Sequence, residues 1–219
     1  MVSWRGGESA WHNFYAILRT LLQTHFESGR LPFGLAWLHE PARWRVDAEA
    51  KVLVIEPDAE TDFWRKTHYG FEADSGHFLF LPVAGDFVMH AGVKFYPVHR
   101  YDQAGLMVRA DGNCWIKTSV EYELDEPPKL GAVVTNRGYS DWSVQDFDPA
   151  CRHVWLRISR SGSDFTLEHS RNGSVWSVLR VTHLDVDPRA SLDCGLYACS
   201  PKGAGFRAEF DLLGIEVSG

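Results

Sequence analysis

The side chains best able to do chemistry gather in one stretch, from Gln103 to Glu121. Gln103, Met107 and Arg109 are separated by even steps, as are Trp115, Lys117 and Glu121, so in extended chain each set lines a single face. Asp111-Gly112-Asn113 lies between them and reads as a turn. A two-residue turn would place Val108 opposite Trp115 and Leu106 opposite Lys117, mixing apolar and charged groups on both faces. A three-residue loop, with Asn113 in the left-handed region, instead pairs Arg109 with Trp115, Met107 with Lys117 and Gln103 with Glu121. Leu106, Val108, Ile116, Thr118 and Val120 then share the reverse face. Burying that aliphatic set stabilises the fold by about 1.5–3 kcal/mol per large side chain, whereas burying unpaired charges is costly. Gln103, Met107, Arg109, Trp115, Lys117 and Glu121 are therefore expected to look outward together. An indole among fixed hydrogen-bonding groups suits a carbohydrate or sugar-like metabolite: the ring takes the apolar face of the sugar and the polar groups take its hydroxyls. The competing expectation is a sheet face covered by loops, with Arg109 resting on Trp115 as a cation–π pair.

Four further residues are candidates for the rim. Tyr101 precedes the ribbon, and Asp141 and Trp142 lie in the turn-rich stretch Thr135 to Ser143, from which side chains can reach over a sheet. Arg157 alternates with Leu156 and Ile158 and is expected to join the polar surface. Glu121, Glu123 and Asp125 share strand parity, which raises a glycosidase reading based on Glu121 and Glu123, because retaining enzymes place two carboxylates about 5–5.5 Å apart. Pro127-Pro128 follows at once, so a solvated charge run at a strand end is favoured, and no catalytic residue is assigned. His90 and Lys94 border the same polar face or meet solvent. The ten histidines form no metal-binding pair, and no nucleophile elbow, phosphate loop or dinucleotide fingerprint occurs. No cofactor and no metal ligand is assigned, and the loop carboxylates leave a structural calcium open.

The elements that must position these residues are strands. Candidate strands near Lys51–Glu56, Phe78–Leu81, Phe87–Phe95, Gly105–Ala110, Cys114–Tyr122, Leu130–Thr135, Val154–Ser159, Phe165–Ser170, Trp176–Val181, Cys194–Cys199 and Arg207–Val217 are punctuated by turn residues. Asn172-Gly173 signals a tight hairpin. This spacing predicts an all-β, two-sheet jelly-roll sandwich over residues 31–219. Before it, Trp11, Phe14, Tyr15, Leu18, Leu21, Leu22 and Phe26 recur at three- and four-residue steps between Ser9 and Gly29. They predict an amphipathic α-helix in an N-terminal extension, residues 1–30, which must dock on its own domain, a second subunit in a homodimer or another protein. With 22 Lys and Arg against 29 Asp and Glu, the net charge is −7, which repels nucleic acid and anionic membranes. No stretch is long and apolar enough to span a bilayer, and no export signal is seen. Cys114, Cys151, Cys194 and Cys199 are accordingly expected to be reduced in a cytoplasmic protein.

Several blocks carry a family resemblance: Thr61-Asp62-Phe63-Trp64-Arg65, Gly76-His77-Phe78, Tyr101 to Arg109, Trp115-Ile116-Lys117, Glu121, Ser140-Asp141-Trp142-Ser143 and Ser200 to Gly205. Together, over about Leu31 to Val217, the chain resembles the uncharacterised bacterial and fungal proteins of regulation-of-enolase type. That family belongs to the concanavalin A-like lectin/glucanase superfamily. The resemblance implies a two-sheet jelly roll and no particular reaction; similar sandwiches accompany xylosidases, which implies a glycan ligand by analogy. A lectin-like module, a carbohydrate-active enzyme and a protein-interaction module regulating a metabolic enzyme are the functions that follow.

Overall fold

A computed structural model describes residues 18–218 apart from Tyr69. Among these residues there is no helix, and the strands, numbered in chain order, form two large sheets packed face to face. Sheet A runs β15 (Ser177–His183), β14 (Asp164–Ser170), β13 (His153–Ser161), β8 (Phe87–Tyr96), β17 (Arg207–Ser218), β4 (Val52–Glu56) and β3 (Arg43–Asp47), with β1 (Leu18–Thr24) also paired to β17. Sheet B runs β12 (Tyr139–Asp146), β11 (Lys129–Asn136), β10 (Cys114–Glu121), β9 (Gln103–Asp111), β16 (Leu192–Cys199), β7 (His77–Val83) and β2 (Ala36–Leu38). A short ribbon of β5 (Phe63–Trp64) and β6 (Ala73–Asp74) stands apart from both. All pairings within the sheets are antiparallel, and neighbours such as β8 with β17 and β9 with β16 are distant in sequence, as a jelly roll requires.

Period-two alternation builds the main core. In β13, Val154, Leu156 and Ile158 point inward and are fully buried while His153, Trp155 and Arg157 point out. They meet Leu106, Val108 and Ile116 of sheet B in one apolar layer. β10 behaves differently: seven of its eight residues are buried, because its outer face is covered as well. That second cover creates a smaller apolar cluster of Phe63, Phe78, Met107, Trp115, Val133, Tyr197 and Cys199.

Three expectations need correction. In the described part of the predicted helix, residues 18–29, the first seven residues are strand β1, antiparallel to β17 with a bulge between Thr20 and Leu22, and a turn follows. Leu22 and Phe26 are four apart, a spacing that fits one helix face and also, being even, one strand face, while the bulge sends Leu18, paired with Ser218, to the opposite face from Leu22, paired with Ile215. The unfilled edge of β17 decides for the strand; Leu22 packs on the core and Phe26 is fully buried. Residues 9–17 of that predicted helix lie outside the described residues, so no helical partner surface exists among those described. Second, Tyr139–Asp146 is an edge strand, and only Arg137-Gly138, both at positive φ, form the turn. Its sequence lacks an apolar alternation because both of its faces are largely exposed. Third, Asn172-Gly173 sits in a six-residue connection between β14 and β15 in which Gly173, not Asn172, has positive φ.

Candidate binding site on the outer face of sheet B

The β9–β10 ribbon has the expected register: Arg109 pairs with Trp115, Met107 with Lys117 and Gln103 with Glu121. The loop that sets it differs in detail. Asp111 pairs with Cys114, and the register shifts before Trp115, so Ala110 is the extra residue of a bulge. Asn113 is not left-handed; its N–H donates to Asp111 Oδ1 at 2.7 Å. Gln103, Met107, Arg109, Trp115, Lys117 and Glu121 thus share the outer face of sheet B.

Most of that face is plugged by the segment Thr61–Gly76, which carries β5 and β6. Phe63 is fully buried against Trp115 and Tyr197, with ring centroids 6.3 and 6.4 Å away, and Trp115 has no exposed surface. Lys117 is 3% exposed; its Nζ donates to Phe63 O at 2.7 Å and meets Asp62 Oδ1 at 3.2 Å. Arg109 grips Asp74 through two hydrogen bonds of 2.8 and 2.9 Å and lies over the Phe63 ring. The covering segment is also stitched to the sheet through Ser140, whose N–H donates to Arg65 O and whose hydroxyl accepts from Arg65 N–H, and through Ser200 O, which accepts from Glu60 and Thr61 N–H. At Gly76 a Cβ would collide with the Phe63 ring and Cys199 Sγ, so only glycine permits this closure.

What stays open is the far end of the face. A slot there is lined by Gln103, Lys117, Ser119, Glu121, Lys129 and Trp142, and its base holds about 10 Å³, the room one water needs. Trp142 pairs with Val133 and is 44% exposed at the slot's edge. Gly131, opposite Ser119, keeps the slot floor low. At the slot's floor Glu121, partly exposed, meets the buried Gln103 and Lys117. Its Oε2 accepts from Gln103 Nε2 at 2.9 Å, and Tyr197 donates its hydroxyl to Gln103 Oε1 at 3.1 Å, which fixes the orientation of the amide. Burial pushes the Glu121 carboxyl up to about 8; Lys117 opposes this, and Asp62 and Glu123 add to it. The slot therefore presents a protonated carboxylic acid at neutral pH.

The remaining predicted residues are placed as follows. Tyr101, in the loop before β9, has positive φ and lies between the Arg100 and Lys202 cations, its carbonyl accepting from Gln103 Nε2. Asp141 shares a parity with Val134 and turns away from Trp142 toward Arg180 of β15, 3.0 Å away. Arg157 is not on this face: it lies on the outer side of sheet A, bound to Glu168 at 2.7 and 2.8 Å and stacked on Trp176. His90 and Lys94 occupy that same sheet A face. The strand ends at Glu121, and Glu123 beyond it is buried against Arg100. Sequence reasoning missed Asp62, Phe63 and Asp74 as the cover, Ser119 and Lys129 as slot residues, and Tyr197 as the buried support of Gln103. Parity along Cys194 to Cys199 gave a signal for Tyr197, but nothing local says which strand β16 would join.

The family profile described as "Protein of unknown function (DUF1349)" matches residues 37–217. The chain belongs to this family. Its region of match includes the plug, its anchors and the slot. "Regulation of enolase protein 1" of Saccharomyces cerevisiae is 34% identical over 174 residues, covering 80% of this chain and 85% of that protein. A solved structure of a functionally unknown protein from Saccharomyces cerevisiae superposes with a TM-score of 0.76 at 32% identity, over 83% of this chain and 95% of that one. This chain is an all-β sandwich of two main sheets that fits a jelly roll. The same fold appears in the GH43 protein BlXynB of Bacillus licheniformis, with a TM-score of 0.70 at 15% identity over 90% of this chain and 39% of that one.

Proposed function

We propose that the chain is a lectin-like binding module that takes a carbohydrate or sugar-like metabolite at the open end of sheet B's outer face. The observation that carries this reading is the exposed Trp142 ring beside a slot into which Gln103, Ser119, Glu121 and Lys129 converge. A pyranose laid on Trp142 inserts one hydroxyl into the slot, where the Glu121 acid donates and the Ser119 and Gln103 groups complete its hydrogen bonds. Trp115, Arg109 and Lys117 act from beneath by holding the plug that shapes the slot. With one ring and one buried hydroxyl engaged, binding is weak, with Kd of millimolar order. The four unpaired cysteines, three of them buried, favour a reducing, cytoplasmic setting. The test is titration of a glycan panel against intrinsic tryptophan fluorescence. Binding is expected for the wild type and is lost in Trp142→Ala; a flat wild-type response to every saccharide refutes the proposal.

A second reading, a protein-interaction module acting on a metabolic enzyme, draws on the name of the Saccharomyces cerevisiae relative, "Regulation of enolase protein 1". Trp142 and Val144, exposed side by side on the outer face of edge strand β12, would serve as its apolar contact. Co-purification with purified enolase, abolished by Val144→Asp, supports this reading, and its absence refutes it.

A further inference from the structure

The opposite side of the sandwich carries a larger groove that the sheet B site does not use. It is an open groove of about 560 Å³ on the outer face of sheet A, lined by His25, Glu27, Lys51, Lys94, Trp155 and Asp211. Its construction is specific. Asp211 occupies the bulge of β17, where the register against β8 jumps between Phe210 and Leu212, and such bulges re-aim side chains. Asp211 Oδ2 lies 3.1 Å from His153 Nε2 and 3.5 Å from Lys94 Nζ. His153 in turn packs on the Trp155 ring, centroids 3.8 Å apart. Gly92 lies beneath all three: a Cβ there would overlap Asp211 Oδ1 and come within 3.2 Å of both His153 Nε2 and Trp155 Nε1. A missing side chain thus lets a carboxylate, an imidazole and an indole converge at one wall of the groove. Burial pushes the Asp211 carboxyl up, but the imidazole and ammonium outweigh it and hold the group below the usual carboxylate range. The opposite wall comes from the end of β1, where His25 Nδ1 is 3.1 Å from Asp211 O.

The chemistry of the lining selects the class of ligand. Lys51 and Lys94 balance Glu27 and Asp211, so a net charge on the ligand gains little, while a neutral polyol both donates to the carboxylates and accepts from the ammoniums. We propose that this groove is a second binding site, for a neutral saccharide whose hydroxyls bridge Asp211 and Lys94 and which touches the edge of Trp155 left free by His153 and Gly173. The site stands independently of the one on sheet B.

The experiment follows amide and indole N–H resonances of the full chain during titration with xylotetraose, cellotetraose and maltotetraose. At least one of these probes is expected to shift the Trp155 indole N–H and the Gly92 amide, equally in the wild type and in Trp142→Ala. Asp211→Asn and Gly92→Ala weaken that response at least tenfold. Lys94→Ala, a change at a partly exposed side chain that leaves the core intact, does the same, so a folding defect in the other variants does not blunt the test. Absence of any Trp155 shift with all three probes, or shifts that Lys94→Ala leaves unchanged, overturns the inference. Shifts confined to Trp142 overturn it too while supporting the sheet B reading.

Discussion

Replacing Glu121 by glutamine isolates the protonated carboxyl on which the slot chemistry rests. Burial raises its folded-state pKa from 4.5 to about 8. For a group raised on folding, the associated stability is fully present below about pH 4.5, declines as the pH rises, and is lost once the pH has passed through about 8, because the native state must then release a proton it prefers to keep. At about 1.4 kcal/mol per pH unit, the ceiling is about 5 kcal/mol. Glu121 keeps some contact with water and has Lys117 nearby to stabilise the charge, so a loss of about 2–3 kcal/mol between pH 5 and pH 9 is the working expectation. Glu121→Gln preserves an oxygen for Gln103 Nε2 and has no proton to release. Urea unfolding followed by fluorescence at several pH values reads the difference. The variant should match the wild type within about 1 kcal/mol at pH 5 and exceed it by about 2–3 kcal/mol at pH 9. Parallel losses in the two proteins would mean that Glu121 is already ionised in the folded state, and the account of the slot as a hydrogen-bond donor would fall.

Phe63→Ala removes the ring that seals Trp115 and should cost about 3–5 kcal/mol, with acrylamide quenching of tryptophan fluorescence rising as Trp115 opens; unchanged quenching contradicts the plug. Arg160, fully buried at an inward position of β13, donates to the carbonyls of Gly162, Ala190, Asp187 and Pro188. Arg160→Lys cannot reach all four and should cost about 2–4 kcal/mol in urea unfolding, and an unshifted midpoint would show the loop is held otherwise. Phe26→Ala, at the foot of β1, should cost about 3–5 kcal/mol and speed hydrogen exchange of the β1 amides; protection equal to wild type would place the anchor elsewhere.

Much of this protein is readable from residue order because strands repeat every two residues. Leu106, Val108, Ile116 and Val120 against Lys117, Arg109 and Glu121 leave only one register in which the charges escape the core, and the ribbon adopts it. The same alternation located most long strands to within a few residues. Where local pattern is ambiguous, residue order does not decide the element. Leu22 and Phe26 satisfy helix and strand alike, and Tyr139–Asp146 has too little apolar contrast to show its pairing with β11. Arg157 illustrates a different limit: its parity was read correctly, but parity does not say to which sheet a strand belongs.

Local periodicity and charge thus determined that this chain folds as a β-sandwich, which residues of the central ribbon face its core, and which face away. Tertiary structure alone decided what covers the outward face. The plug is brought there by Lys117 with Asp62, 55 residues apart, by Arg109 with Asp74, 35 apart, and by Gly76, which leaves room for the Phe63 ring and Cys199. No repeat within a strand encodes such contacts, because side-chain alternation specifies the direction a residue points and not what it will meet there.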